Sequence, residues 1–327
     1  MIISRTPLRI SFVGGGSDLP AYYLKEPGAV VSTSINKYIY ININRKFDHK
    51  IRASYSVTEI VDHIDELKHE LIREALRLTG VERGIEITSI SDVPSYGTGM
   101  GSSSTYTVGL LNALYAYNGQ HVGAERLAGD ACWIEIEKCG KPIGKQDQYI
   151  ASYGGFQFIQ FNPNGTVFVD PIICARDTRE TLERRLLLLY TGITRSANSV
   201  LEQQKANTEQ DEESRSRLRG MTNIAHRLRD ALCANKLDCF GEMLHETWMM
   251  KRGLASAISN NQIDTWYDTA RKQGAIGGKI LGAGGGGFLL LYAPTDRHDA
   301  ISASLPQLER VNFRFEPQGS KIIYVEE

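Results

Sequence analysis

Three glycine clusters are the first places in this sequence where chemistry is plausible: "VGGGSD" (13–18), "GTGMGSSS" (97–104) and "GAGGGG" (282–287). In the second, Gly97, Gly99 and Gly101 alternate with other residues and run into Ser102, Ser103 and Ser104. "TYTVGLLNALYAY" then reads as a helix. A helix start carries four unpaired N–H groups and a partial positive charge. Glycines before it let the backbone close on a polyphosphate without a Cβ in the way. Serines at that point can cap the helix, ligate a magnesium ion, or do both. The context favours nucleotide phosphate binding, against the plainer reading of three tight turns.

The familiar phosphate loops do not fit. Gly144-Lys145 and Gly278-Lys279 both lack the upstream glycine and the following hydroxyl of a Walker loop. Gly282, Gly284 and Gly287 satisfy G-x-G-x-x-G literally, but "FLLLYAP" after them reads as a strand where a dinucleotide fingerprint needs a helix. A nicotinamide-dependent oxidoreductase is set aside on that ground. Gly101-Ser102-Ser103 is not the G-x-S-x-G of a nucleophile elbow.

The elements that must position these loops follow from periodicity. Residues 1–13 read as a strand, and "AVVSTSINKYIYINI" (29–43) as one or two more. Ile60, Ile64, Leu67, Leu71, Ala75 and Leu78 fall at helical spacing, closed by Gly80. "GIEITSI" reads as a strand, and helices are expected near 103–118 and 123–138. "FQFIQF" and "TVFVD" flank Asn-Pro-Asn-Gly as a hairpin, so the sequon Asn164-Gly165-Thr166 reads as its turn. "RRLLLLYTG" reads as a buried strand, 196–273 as mostly helical, 295–305 as a helix and "KIIYVEE" as a final strand. Hairpins mixed with helices, without strict βαβ alternation, predict an α+β layered fold.

At 327 residues two domains are expected, with a boundary near 185/186: residues 1–185 and 186–327. The net charge of −1 carries no nucleic-acid footprint. No apolar run approaches the roughly 20 residues of a membrane helix. The start "MIISRTPLRISFVGGG" lacks a signal-peptide pattern, and five scattered cysteines suit free thiols in a reducing, cytoplasmic setting.

On these motifs the sequence resembles the GHMP kinases, the family of galactokinase, homoserine kinase, mevalonate kinase and phosphomevalonate kinase. Pro94, Gly97, Gly99, Met100, Gly101, Ser102 and Ser103 look like the family's second signature, "RTPLRISFVGGGSDLPAYY" like the first and "ILGAGGGGFLLL" like the third, in the family's order. The resemblance spans nearly the whole chain. It implies a two-domain α+β fold, an N-terminal part like ribosomal protein S5 domain two and a ferredoxin-like C-terminal part, with the active site between them. It also implies ATP and Mg²⁺. "IEIEKCGKPIGKQDQ" supplies Glu135, Gly140, Pro142, Gly144, Asp147 and Gln148. By resemblance Asp147 is the catalytic aspartate, Glu135 the magnesium carboxylate with Ser103 its hydroxyl partner, and Arg9 the arginine that holds Asp147 ionised and stabilises charge on the transferring group. Glu137 competes with Glu135. Gly97, Gly99, Gly101 and Ser102 to Ser104 would hold the ATP phosphates.

Where galactokinases continue G-E-H-T-D, this chain has Gly14-Gly15-Gly16-Ser17-Asp18, which keeps the aspartate and opens space. That string, with "LLLLYTGITRSANSVLEQQ", resembles the heptose kinase branch. It implies phosphorylation of D-glycero-D-manno-heptose 7-phosphate at the anomeric hydroxyl, on the way to GDP-heptose. Gly15, Gly16, Ser17, Asp18, Gly284 and Gly285 are the expected substrate contacts. Arg195 is the first choice to clamp the 7-phosphate, with Lys251 and Arg252 next. Fucokinase domains share much of this pattern and supply the competing substrate; a sugar and nucleotide sensor without turnover is disfavoured because Arg9, Ser103, Glu135 and Asp147 are all present. The expected partners are the sugar phosphate and ATP, with a homodimer possible.

Overall fold

The alternating run after Gly28 forms one strand of 18 residues, long enough to pair with two different neighbours along one side. The structure, a computed structural model, describes residues 1–94, 97–194 and 197–326. Its strands are β1 (Ile2–Val13), β2 (Gly28–Arg45), β3 (Ile51–Ser54), β4 (Thr58–Val61), β5 (Ile85–Ser91), β6 (Phe156–Phe161), β7 (Val167–Pro171), β8 (Leu186–Tyr190), β9 (Gly277–Ile280), β10 (Phe288–Tyr292), β11 (Glu309–Arg310) and β12 (Lys321–Val325). Its α-helices are α1 (Pro20–Tyr23), α2 (Glu70–Thr79), α3 (Ser102–Tyr117), α4 (Ala124–Cys132), α5 (Gln146–Tyr153), α6 (Arg176–Arg185), α7 (Ala197–Gln210), α8 (Glu212–Cys233), α9 (Phe240–Arg252), α10 (Asn261–Lys272) and α11 (His298–Ser304).

The larger sheet runs β12-β1-β2-β5-β3-β4, and β6, itself paired with β7, adds to the first half of β2. The second sheet runs β11-β8-β10-β9. Numbered within that region, its order is 4-1-3-2 with helices after the first and third strands, which is the ferredoxin-like arrangement. Its strands alternate cleanly. Leu186, Leu188, Leu290 and Tyr292 share a core with Phe12 of β1 and Phe240 of α9. Leu187, Leu189, Leu289 and Leu291 face Trp248, Trp266 and Tyr267 instead. Period-2 burial on both faces is what a sheet between two layers requires. The first core joins the two sheets, with Ile224, Ala225, Leu228 and Leu232 of α8 inside it.

Two sequence expectations are revised. Only residues 70–79 of the expected helix over 60–78 form α2; His69 accepts from the Ile72 N–H at its start and Gly80 closes it at φ +69°. Ile60 belongs to β4, where β-branched neighbours favour a hairpin with β3 over a helix. The helix expected over 123–138 is α4 followed by a π-helical turn, Trp133–Lys138. The last strand, β12, lies in the larger sheet beside β1, with Ile2 opposite Val325.

Candidate active site

Arg9 lies in the interior of β1, at 3% exposure, and its guanidinium is fully committed. Nε donates to Asp147 Oδ1 and Nη2 to Oδ2, each at 2.7 Å, while Nη1 donates to the Gly99 carbonyl at 2.6 Å. A bidentate fork of this kind fixes the carboxylate plane as well as its charge. Asp147 sits in the first turn of α5, 22% exposed at its side chain, and opens onto a cleft. Arg9 therefore ties together the Asp147 carboxylate and the glycine loop of 97–101.

That loop supplies the start of α3. Gly101 is its N-cap at φ +77°, and no side chain caps the helix among the described residues. The serines are used otherwise: Ser102 Oγ lies 3.2 Å from Thr98 Oγ1, and Ser103 Oγ donates to Glu135 Oε1 at 2.7 Å. Of the uses open to the serines, capping is not the one taken: the helix start is left uncapped beside the cleft, which is the arrangement an anion needs. A Cβ on Gly101 would lie 3.1 Å from Asp147 Oδ2, so only glycine lets this backbone approach the carboxylate. At Gly99 a Cβ would overlap the Leu281 carbonyl, and one on Gly282 would overlap Gly99. The second and third glycine clusters are packed backbone to backbone.

Glu135 is wholly buried, carried inward by the π-helical turn, while Glu137 is exposed. An extra residue per turn re-aims a side chain, and such turns gather at functional sites. Burial raises the Glu135 pKa; Lys141, Ser103 and Gln148 oppose that. Its Oε2 accepts from Gln148 Nε2 at 2.6 Å. Lys141 Nζ stands 3.1 Å from Ser103 Oγ and 3.7 Å from Glu135 Oε1. A hydroxyl and a carboxylate, both hard oxygen donors and already sharing a cation, fit a magnesium ion that draws its remaining ligands from phosphate and water.

On the opposite wall of the cleft, Asp18 is buried and holds the loop before α5. Its Oδ1 accepts from Gly16 N at 2.8 Å and Gln146 Nε2 at 3.1 Å, and Oδ2 from Gln146 N at 3.3 Å. Burial raises its pKa. Ser17 Oγ donates to the Gly14 carbonyl and accepts from Ala29 N, so it pins the first glycine cluster to β2 rather than facing the cleft. Lys251 Nζ, at the end of α9, enters the cleft and donates to the Gly282 carbonyl at 2.6 Å. Burial pushes its pKa down to about 8. Arg252 turns away and pairs with Asp264 at 2.7 Å. Gly282 and Ala283, not Gly284 and Gly285, are the third-cluster residues that line the cleft; Gly285 N donates to the Ile258 carbonyl. Arg195 lies outside the described residues.

Sequence reasoning missed Lys141, Gln204 and Lys279, and named Gln148 only as part of a motif. Lys279 is fully buried, donates to the Ser11 carbonyl at 2.9 Å and has its pKa pushed well down by burial. It stands in a strand otherwise made of glycine and isoleucine. A second cavity adjoins the phosphate loop at Ser102 and Ser103, walled by Ile39, Tyr55, His69, Leu71 and Tyr106. Its walls suit a flat heteroaromatic base.

Comparison with known proteins agrees with this geometry. Residues 64–155 match the family described as GHMP kinases N terminal domain, and residues 228–308 match GHMP kinases C terminal. The D-glycero-alpha-D-manno-heptose 7-phosphate kinase of Campylobacter jejuni is 31% identical over 98% of both chains. The bifunctional fucokinase/GDP-fucose pyrophosphorylase of Arabidopsis thaliana is 27% identical over 88% of this chain and 29% of its own length. The crystal structure of a D-glycero-D-manno-heptose 1-phosphate kinase from Bacteroides thetaiotaomicron superposes with a TM-score of 0.81, at 24% identity and full coverage of both chains. With its three glycine loops meeting at one cleft, a two-domain α+β architecture and a relative alike from end to end, the chain belongs to the GHMP kinases and is a sugar kinase.

Proposed function

We propose that the protein transfers the γ-phosphoryl group of ATP to the anomeric hydroxyl of D-glycero-D-manno-heptose 7-phosphate, giving the 1,7-bisphosphate on the way to GDP-heptose for a surface polysaccharide. The observation that carries the transfer chemistry is the Arg9–Asp147 fork, open to the cleft beside an uncapped helix start. The heptose relative, 31% identical over nearly its full length, supports the acceptor.

The residues divide the work. N–H groups at the start of α3 take phosphate oxygens, and the base enters the cavity beside Tyr55 and Tyr106. Ser103 and Glu135 would hold magnesium, which supplies charge neutralisation on the phosphates. Asp147 accepts the proton of the acceptor hydroxyl as its oxygen bonds to phosphorus and the bond to the departing ADP oxygen breaks. Arg9 holds the plane of the Asp147 carboxylate toward the acceptor through its two parallel hydrogen bonds. Lys251 places a third cation beside the acceptor.

The test is ADP release with purified protein, ATP and magnesium across D-glycero-D-manno-heptose 7-phosphate, L-fucose, mannose 6-phosphate and mevalonate. Turnover on the heptose 7-phosphate alone is the expected result. Preference for L-fucose, the reading favoured by the fucokinase relatives, would overturn the acceptor but keep the chemistry.

A further inference from the structure

The first glycine cluster is ringed by polar side-chain atoms that have no partner among the described residues. Gln204 of α7 is 1% exposed, lines the cleft, and its amide nitrogen is unpartnered among the described residues. A Cβ on Gly16 would overlap that nitrogen. The same holds next door. A Cβ on Gly15 would lie 3.5 Å from Gln146 Nε2, 3.7 Å from Ser11 Oγ and 3.8 Å from Lys251 Nζ. Ser11 Oγ and Gln146 Oε1 are also buried and unpartnered among the described residues. Native proteins seldom leave buried polar atoms unpaired, because each forfeits its bonds to water. Three such atoms around two side-chain-free residues mark a place made for a ligand.

The mixture of atoms says which part of the ligand. A phosphate only accepts, and wants donors on every side. Here donors (Gln204 Nε2, Lys251 Nζ) alternate with an amide oxygen (Gln146 Oε1) and a hydroxyl that does both (Ser11 Oγ), with the Asp18 carboxylate alongside. Vicinal sugar hydroxyls, each a donor and an acceptor, match such a ring. The first motif being the expected place for the sugar, we propose that Gln204 is a specificity-determining residue that donates to one hydroxyl of the acceptor over Gly15 and Gly16. The absence of a side chain at residue 16 is what admits Gln204 to the cleft. Lys251, on this view, belongs to the ring subsite and not to a clamp for the remote phosphate. The inference rests on the kinase reading above and adds the group that selects the sugar.

The test compares Gln204→Leu and Gln204→Ala with wild type. Steady-state ADP release is measured against D-glycero-D-manno-heptose 7-phosphate and against ATP, with a thermal melt of each variant. Loss of one neutral hydrogen bond to substrate raises the acceptor KM by about 10-fold. The ATP KM should stay within about twofold, because α7 lies away from the cavity proposed for the base. Removing an amide nitrogen that has no partner among the described residues should leave the melting temperature of Gln204→Leu unchanged or raised. An unchanged acceptor KM in both variants would overturn the assignment of Gln204 while leaving the kinase standing. A lowered melting temperature with acceptor and ATP KM values rising together would also overturn it, by making the residue structural. No turnover by wild type on any acceptor of the panel would overturn the kinase reading, and this inference with it.

Discussion

Asp147→Asn separates the two things Asp147 does. Both its oxygens accept from Arg9 at 2.7 Å. Asparagine keeps one acceptor and turns an NH₂ toward a guanidinium N–H, so one charge-assisted bond is lost and one donor is left facing a donor. Such a bond contributes about 1.5–3 kcal/mol. The side chain is 22% exposed, so water takes up part of the loss and the lower figure applies. Arg9 is still held by the Gly99 carbonyl, so the β1 interior keeps its place. The expected melting temperature is a few degrees below wild type. The effect on turnover is larger and has a different origin. An amide cannot take the acceptor's proton, and removal of a positioned base costs about 100- to 10,000-fold, or about 3–5.5 kcal/mol of barrier. The assay is coupled ADP release with D-glycero-D-manno-heptose 7-phosphate, with nucleotide affinity measured in parallel by titration. The expected pattern is a collapse of kcat with ATP affinity within about threefold of wild type. A variant that keeps kcat within about threefold would refute the assignment of Asp147 as the base, whatever its stability.

Glu135→Gln should raise the magnesium concentration for half-maximal rate by about 10-fold or more while the acceptor KM holds, read from rate against free magnesium; an unchanged requirement would remove Glu135 from the metal site. The Lys251 pKa is pushed down to about 8, so in the free protein its charge is lost as pH rises through that value. The rate kcat/KM should fall on the alkaline side with a midpoint near 8, and Lys251→Met should flatten that limb. The sign for stability is opposite: the unfolded chain holds this proton to near 10.5, so the penalty for burying the ammonium is full below 8 and fades between 8 and 10.5. Gly282→Ala puts a Cβ at φ +71° against Gly99; about 1–2 kcal/mol of backbone strain plus the overlap should lower the melting temperature by several degrees and weaken ATP binding, checked by a melt and by nucleotide titration.

What the sequence disclosed and what it withheld follow from range. Gly80, Gly101 and Gly165 act locally, and their turns were legible because positive φ selects glycine from the residue alone. The runs "LLLLY" and "FLLLY" were legible as strands because each is a short continuous apolar stretch beside glycine turns, while the two cores they face were not. The π-helical turn at 133–138 was not, because adding one residue to a turn leaves the apolar period of a short helix almost unchanged. Ile60 was misplaced because its helical spacing to Ile64 and Leu67 is real, and only pairing with β3 decides against it. At the site, Arg9, Ser103, Glu135 and Asp147 were reachable through motif resemblance. Lys141, Gln204 and Lys279 were not, since nothing near them in sequence betrays a partner that arrives from another element. Gly284 and Gly285 were overvalued for the converse reason: a glycine that packs against Ile258 looks in sequence like one that faces a ligand.

The return of β12 to the larger sheet bears on the order of assembly during synthesis. The strand that carries Arg9 gains its outer neighbour from residues 321–325, which reach it only after all three glycine loops and the whole second sheet have been made. Until then β1 is an edge, with unpaired N–H and C=O groups along Ile2 to Arg5. Such an edge invites pairing with another nascent chain. Lengthy pairing of this kind also slows folding, because the loop between the partners is long. The last strand therefore works as a latch: it covers the β1 edge with a strand of only five residues that becomes the new edge, and it does so late. Chains that stop short of residue 321 should collect as aggregates even where every residue of the cleft has been synthesised.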